Sequence, residues 1–129
     1  MITIGIIGFP FVGKEALARA VAAEGAATLV LPSDITRHAS RRHTLAAVAA
    51  HDLMCSGGIP SDEALAILWS ECTPPNDDVV IPGLPRSASQ YENYADRSQR
   101  DLWLVHLRTD WRSLVDRVEA LGAGNIERG

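Results

Sequence analysis

Gly8 and Gly13 frame a short loop that ends in Lys14, between the apolar run Ile2 to Ile7 and the alanine-rich segment Glu15 to Ala23. The β-branched run predicts a strand buried on both faces, and the alanine-rich segment predicts a helix. The chain therefore opens as strand, glycine-framed loop, lysine, helix, an arrangement suited to cradling phosphate. Backbone N–H groups of such a loop converge on an anion, the helix N-terminus adds its positive dipole end, and the lysine adds a mobile charge. The plainer reading is a strand-turn-helix connection in which the glycines serve only the turn. The Ser or Thr that would follow the lysine and ligate magnesium is absent, with Glu15 and Ala16 in its place.

The rest of the chain continues the alternation. Helical spacing runs to Glu24, where Gly25 reads as a C-terminal cap. Ala27 to Leu31 reads as a second strand that Pro32 ends, and Ser33 or Asp34 as the cap of a helix starting near Ile35. Arg37 to Cys55 is one helical stretch, and its cluster of Arg37, His38, Arg41, Arg42 and His43 reads most simply as a solvated face. Gly57-Gly58 breaks the chain, and Pro60 to Glu63 starts a helix carrying Leu65, Leu68 and Trp69. Val79 to Ile81 is a third strand closed by Pro82-Gly83, Ser87 to Arg100 a polar helix, and Leu102 to Leu107 a fourth strand. Trp111, Leu114, Val115, Val118 and Leu121 recur at helical spacing, while residues 122–129 lack core-forming side chains and read as a flexible tail. Strands alternating with helices predict one α/β domain over residues 1–121, with a parallel sheet and right-handed crossovers. Ligands bind such sheets at the carboxyl ends of the strands, so the loops 8–14, 32–37, 82–90 and 108–117 are the ones that matter.

At 129 residues and 47% hydrophobic, the chain suits a single core. A net charge of −4 and a pI near 5.5 argue against nucleic acid and anionic membrane as partners. Cys55 and Cys72 form no metal-type cluster with the scattered histidines and read as reduced thiols. No apolar run approaches the roughly 18 residues of a membrane span and the start lacks a leader pattern, so the expected location is the cytoplasm.

Several of these loops together resemble the nucleoside monophosphate kinases, and the adenylate kinase family most of all. Gly8-Phe9-Pro10-Phe11-Val12-Gly13-Lys14 is similar to that family's phosphate loop, which also has a proline at the place of Pro10. Ser33-Asp34-Ile35-Thr36-Arg37 resembles its T-G-D-x-x-R segment, Ile59-Pro60-Ser61-Asp62-Glu63 its V-x-D-E-L helix start, and Pro82-Gly83-Leu84-Pro85-Arg86 its D-G-F-P-R motif. Gln90 falls where the family places a glutamine, and Asp116-Arg117 where it has the D-R pair leading into a lid. The resemblance implies a three-layer P-loop fold of strand order 2-3-1-4, with residues 33–72 as the monophosphate-binding helical part. Carried over by position, it implies that Gly8, Gly13 and Lys14 contact donor phosphates, and that Arg37 and Arg86, beside Gly83, hold the phosphate of a monophosphate. It also implies that Gln90 reads the base and Arg117 faces the transferring phosphoryl group. Arginine forks and a glutamine amide suit those tasks chemically. For each of these side chains an ordinary surface or salt-bridge role is the alternative.

The departures from the family fall on the metal and donor side. Ala16 stands in place of a metal-side threonine, Pro82 in place of the acid, and Glu15 and Phe11 in place of glycines. A left-handed conformation at Phe11 would cost roughly 1–2 kcal/mol. Pro32 replaces a base-contacting threonine and Leu121 a second lid arginine, and the lid and the last strand of the family pattern are not found. Phosphoryl transfer depends on such electrostatic groups. The expectation is a catalytically impaired nucleotide-binding protein that takes AMP, another nucleotide or a smaller phosphate, with the groups that organise Mg²⁺ missing. Two alternatives stand beside it: an active phosphotransferase in which Glu15, Asp34 or Asp78 organises the metal, and a non-catalytic interaction module. Strand order 2-3-1-4 would also leave Leu102 to Leu107 as an open edge, to be covered by a second copy or another protein.

Overall fold

The structure is a computed structural model describing residues 1–25 and 27–128, with the backbone alone from 122 onward. Its strands are β1 (Ile2–Ile7), β2 (Thr28–Leu29), β3 (Val79–Pro82) and β4 (Asp101–His106). Its helices are α1 (Lys14–Ala23), α2 (Pro32–Arg41), α3 (Leu45–Cys55), α4 (Asp62–Cys72), α5 (Ala88–Ser98) and α6 (Trp111–Arg128). All strand pairs are parallel and the order is β2-β3-β1-β4, so β1 is central, as its apolar run predicts. No described helix is long and apolar enough to cross a membrane.

Register decides which side chains meet. Thr3 lies opposite Val79 and Leu102, and Ile4 opposite Val80 and Trp103. Side chains alternate along a strand, so Thr3, Gly5, Val79, Ile81 and Leu102 share one face. Helices α2 to α5 cover that face with Ile35, Ala39, Ala47, Ala50, Ala66, Leu68, Trp69 and Tyr94, all buried. Each large apolar side chain buried there contributes about 2–3 kcal/mol. The opposite face carries Ile4, Ile6 and Val80, covered by Leu17, Ala18 and Val21 of α1. The result is three layers: α1, the sheet, and the helices α2 to α5.

Gly5 has a reason that lies outside its strand. A Cβ there would come 2.5 Å from the Leu84 carbonyl oxygen and 3.0 Å from Pro85 Cδ. Glycine in a strand interior marks such a close approach, and here it lets the turn after β3 press against β1. That turn contains a cis peptide bond between Leu84 and Pro85.

β2 is Thr28–Leu29 where Ala27 to Leu31 is expected, and four further features differ from the expectations. The stretch Arg37 to Cys55 is two helices, because Arg42 takes a left-handed conformation (φ 55°) and Thr44 opens α3 by accepting a hydrogen bond from Ala47 N at 3.1 Å. Pro32 begins α2 instead of merely ending a strand, since a proline at the first helical position has no N–H to lose. Neither Ser33 nor Asp34 is the cap residue itself; the Asp34 carboxylate reaches back to accept from Leu31 N at 2.8 Å. Finally, α6 runs on to Arg128 through residues expected to be a tail, and Gly129 lies outside the described residues.

β4 is the edge strand the order implies, and only Leu102 along it is buried. Trp103 and Val105 lie on the α1 face of the sheet and are 62% and 38% exposed.

Candidate functional site

The loop after β1 leads directly into α1. Gly13 is left-handed (φ 96°), and α1 begins at the next residue, with Leu17 N donating to Gly13 O as its first helical bond. No side chain caps α1, which leaves first-turn N–H groups and the dipole's positive end directed at the loop. Lys14 Nζ donates to the Gly8 carbonyl at 2.8 Å, so the ammonium is held back across the loop it follows. Phe11, at φ 68°, does occupy a left-handed position, and its side chain is exposed.

α6 reaches the same loop. Asp110 accepts from Ser113 N at 2.8 Å and from Ser113 Oγ at 3.0 Å, which caps the helix start and lowers the Asp110 pKa below its ordinary 3.8. One turn further on, Arg117 Nη1 donates to the Phe11 carbonyl at 3.0 Å. Arg117 therefore grips the loop backbone instead of pairing with Asp116 or Glu119.

The turn after β3 supplies the second wall. Gly83 N donates to Ile6 O at 2.8 Å, extending the ladder one residue beyond β3, and Gly83 is left-handed (φ 91°). That turn brings Arg86 to the carboxyl end of the sheet. Arg86 and Lys14 line one cavity of ≈ 400 Å³ together with Gly8, Pro10 and Gly83. They also line a second, of ≈ 360 Å³, with Glu15, Pro32 and Ser33. Two cations, a glycine loop and a helix N-terminus face one cleft, an arrangement that attracts a phosphate-sized anion.

The other expected residues are placed differently. Arg37 is exposed, pairs with Asp34 Oδ1 at 2.9 Å on its own helix, and lines neither cavity. Gln90 is 5% exposed and its amide is engaged internally: Oε1 accepts from Arg86 N at 2.7 Å and Nε2 donates to Asp62 Oδ1 at 3.1 Å. The single remaining Nε2 hydrogen does not provide the donor–acceptor pair that reading a base edge needs. Glu15 lines the cleft, but its carboxylate is held by Arg19 one turn along α1 at 2.7 Å, which tempers its repulsion of an anion. Asp62 and Ser87, whose side chains meet at 2.9 Å, were not legible as site residues, because 25 positions separate them in the chain.

The residues around the loop do not suit a divalent cation. Ala16 and Pro82 have no oxygen side chain to offer, Asp34 is shared between Leu31 N and Arg37, and Asp78 accepts from Ile2 N at the opposite end of the sheet. Among the described residues no three His, Cys, Asp or Glu side chains gather into a metal-binding group. Comparison of the chain with protein-family models finds none that matches, and comparison with curated proteins finds no match either.

Proposed function

We propose that the protein binds a nucleoside monophosphate such as AMP, or a smaller phosphate, between Lys14 and Arg86, and that it is impaired as a phosphotransferase. It is, on this reading, an adenylate-kinase-like site that keeps phosphate affinity and has lost its metal chemistry. The single observation that carries the proposal is that Lys14 and Arg86, from the carboxyl ends of adjacent strands β1 and β3, line the same two cavities beside the glycine loop. A guanidinium fork and an ammonium converging there match the oxygens of a phosphate dianion. Efficient transfer also needs a metal bridging donor phosphates and further charge on the moving group, and the side chains around Ala16 and Pro82 do not provide for it. Arg117, bound to the Phe11 carbonyl, contributes by stabilising the loop.

Calorimetry with AMP, ADP, ATP and inorganic phosphate, with and without Mg²⁺, tests this. The expected result is magnesium-independent binding of AMP or phosphate that is weakened at least about tenfold in Arg86→Ala. Binding by none of the four removes the proposal, and magnesium-dependent conversion of ATP and AMP into ADP establishes an active enzyme instead.

A second reading, a protein-interaction role, is favoured by the open edge at β4. Trp103, Leu104 and Val105 stand 62%, 46% and 38% exposed on a strand with one unpaired side, and such edges invite pairing with another chain. Light scattering of the purified protein over a wide concentration range decides whether a second copy covers it. A strictly monomeric mass throughout removes self-pairing.

A further inference from the structure

The backbone of Arg86 is held by a closed circuit of hydrogen bonds that ends on one carboxylate. Arg86 N, which has only a hydrogen to offer, donates to Gln90 Oε1 at 2.7 Å. That fixes the amide orientation and turns Gln90 Nε2, a donor, toward Asp62 Oδ1 at 3.1 Å. Ser87 Oγ accepts from Gln90 N at 3.1 Å as the cap of α5, so its own hydrogen is free to go to Asp62 Oδ2 at 2.9 Å. Both oxygens of Asp62 thus receive hydrogens, which an ionised carboxylate accepts and an amide does not. Asp62 is the first residue of α4, where the helix dipole favours a negative charge.

We infer that Asp62 is a positioning residue for Arg86: through Gln90 and Ser87 it holds the turn after β3 in the geometry that aims the guanidinium into the phosphate cleft. This rests on the proposal that Arg86 grips phosphate. It assigns Gln90 the task of holding Arg86 in place of reading a base. It also ties the phosphate cleft to α4, since the residue that anchors the turn belongs to the helical layer and not to the sheet. Arg86 needs such support because, among the described residues, its side chain makes a single long hydrogen bond, Nε to Gly83 O at 3.4 Å, and is exposed.

The test uses the full chain and two probes, AMP and inorganic phosphate, titrated by NMR into millimolar concentrations. Asp62→Asn keeps size and removes one of the two acceptors, so one donor is left facing an amide N–H₂. The expected result is a loss of affinity of about tenfold for either probe, with the loss largely absent when the same substitution is made in Arg86→Ala, because the two residues act as one unit. Equal losses in both backgrounds, or unchanged affinity in Asp62→Asn, overturn the positioning role. Ser87→Ala, which removes both the hydrogen given to Asp62 Oδ2 and the acceptor of Gln90 N, serves where Asp62→Asn does not fold; it is expected to weaken binding by about threefold, and unchanged binding overturns the role. Hydrogen exchange at the Arg86 amide in the ligand-free protein is a separate readout. It is expected to accelerate at least about tenfold in Asp62→Asn, and an unchanged rate overturns the circuit whatever the binding shows. If the unsubstituted chain binds neither probe, the phosphate cleft itself is wrong and the positioning role falls with it; if it binds both and Asp62→Asn binds equally, only the positioning role falls.

Discussion

Arg100 Nε donates to Thr3 Oγ1 at 2.9 Å across 97 positions of sequence, and that bond starts a directed chain through the core. Thr73 Oγ1 donates to Trp69 O at 2.8 Å, so Tyr94 Oη, 2.9 Å away, donates to Thr73, and Thr3 in turn donates to Tyr94 at 2.8 Å. The Tyr94 ring stacks on Trp69 with centroids 3.6 Å apart. Arg100, 9% exposed, also donates to the carbonyls of Ile2, Pro74 and Asp77, tying β1 to the segment before β3.

Breaking that chain at its start or in its middle lowers stability by different amounts. Tyr94→Phe keeps the stack and removes the hydroxyl, for an expected loss of about 1–2 kcal/mol. Arg100→Leu strands Thr3 and several carbonyls and is expected to lose about 3 kcal/mol. Urea unfolding with an unchanged slope checks both, and a larger loss for Tyr94→Phe than for Arg100→Leu contradicts the assignment.

Gly5→Ala is expected to destabilise by about 1–3 kcal/mol although alanine suits a strand at least as well as glycine. The added Cβ meets the Leu84 carbonyl at 2.5 Å, and backbone there has to move. Because that turn carries Arg86, chemical shifts of residues 83–90 should change along with the melting temperature. A silent Gly5→Ala would mean that β1 and the turn are less closely packed.

Phe11→Gly works in the opposite direction. Relief of the left-handed strain at φ 68° outweighs the added freedom of the unfolded chain, for an expected gain of about 0.5–1 kcal/mol. Thermal unfolding measures it. A fall in melting temperature would show that the exposed phenyl ring makes a contribution of its own.

The two thiols should separate in reactivity. Burial pushes the Cys72 thiol from the usual 9.0 to about 11, with Glu71 and Asp34 adding to the rise and Arg41 opposing it. Cys55 is exposed, its Sγ 3.5 Å from His51 Nε2. Near neutral pH iodoacetamide should label Cys55 at least about tenfold faster than Cys72, as read by mass spectrometry. The unfolded chain releases the Cys72 proton more readily than the folded one. The neutral thiol's contribution to stability is therefore complete below pH 9 and falls away as pH rises toward about 11. Cys72→Ser should flatten that part of the pH profile.

Much of the frame could be read from local pattern. The β-branched run before Gly8 predicted a central strand, Gly13 and Lys14 predicted the turn into α1, and Pro82-Gly83 marked the end of β3; all are where they were expected. Each depends on a few neighbouring residues, whose backbone preferences act over one turn or one strand. The boundary between α2 and α3 was missed because the residue that leaves the helix is Arg42, which has no marked preference for a left-handed conformation. Thr44, the cap that restarts the chain as α3, looks in sequence like any other polar residue of a helix.

The placement of the side chains was decided elsewhere. Arg37 and Arg86 both match a phosphate-binding pattern, but only Arg86 lines the cleft, because Asp34 one turn earlier on α2 holds Arg37. Gln90 matched a base-reading position and became part of a half-buried circuit once α4 brought Asp62 against it. Thr3 and Gly5 look like interruptions in an apolar strand; one bears the Arg100–Tyr94 chain, and the other makes room for the turn after β3. By itself, the sequence determined the alternation of elements, the parallel sheet and the loop at its centre, because these follow from periodicity and local backbone preference. Which polar groups face the cleft and which are consumed in holding it was decided only by the tertiary structure, since a hydrogen-bond partner 25 to 97 positions away exists only after the layers have packed.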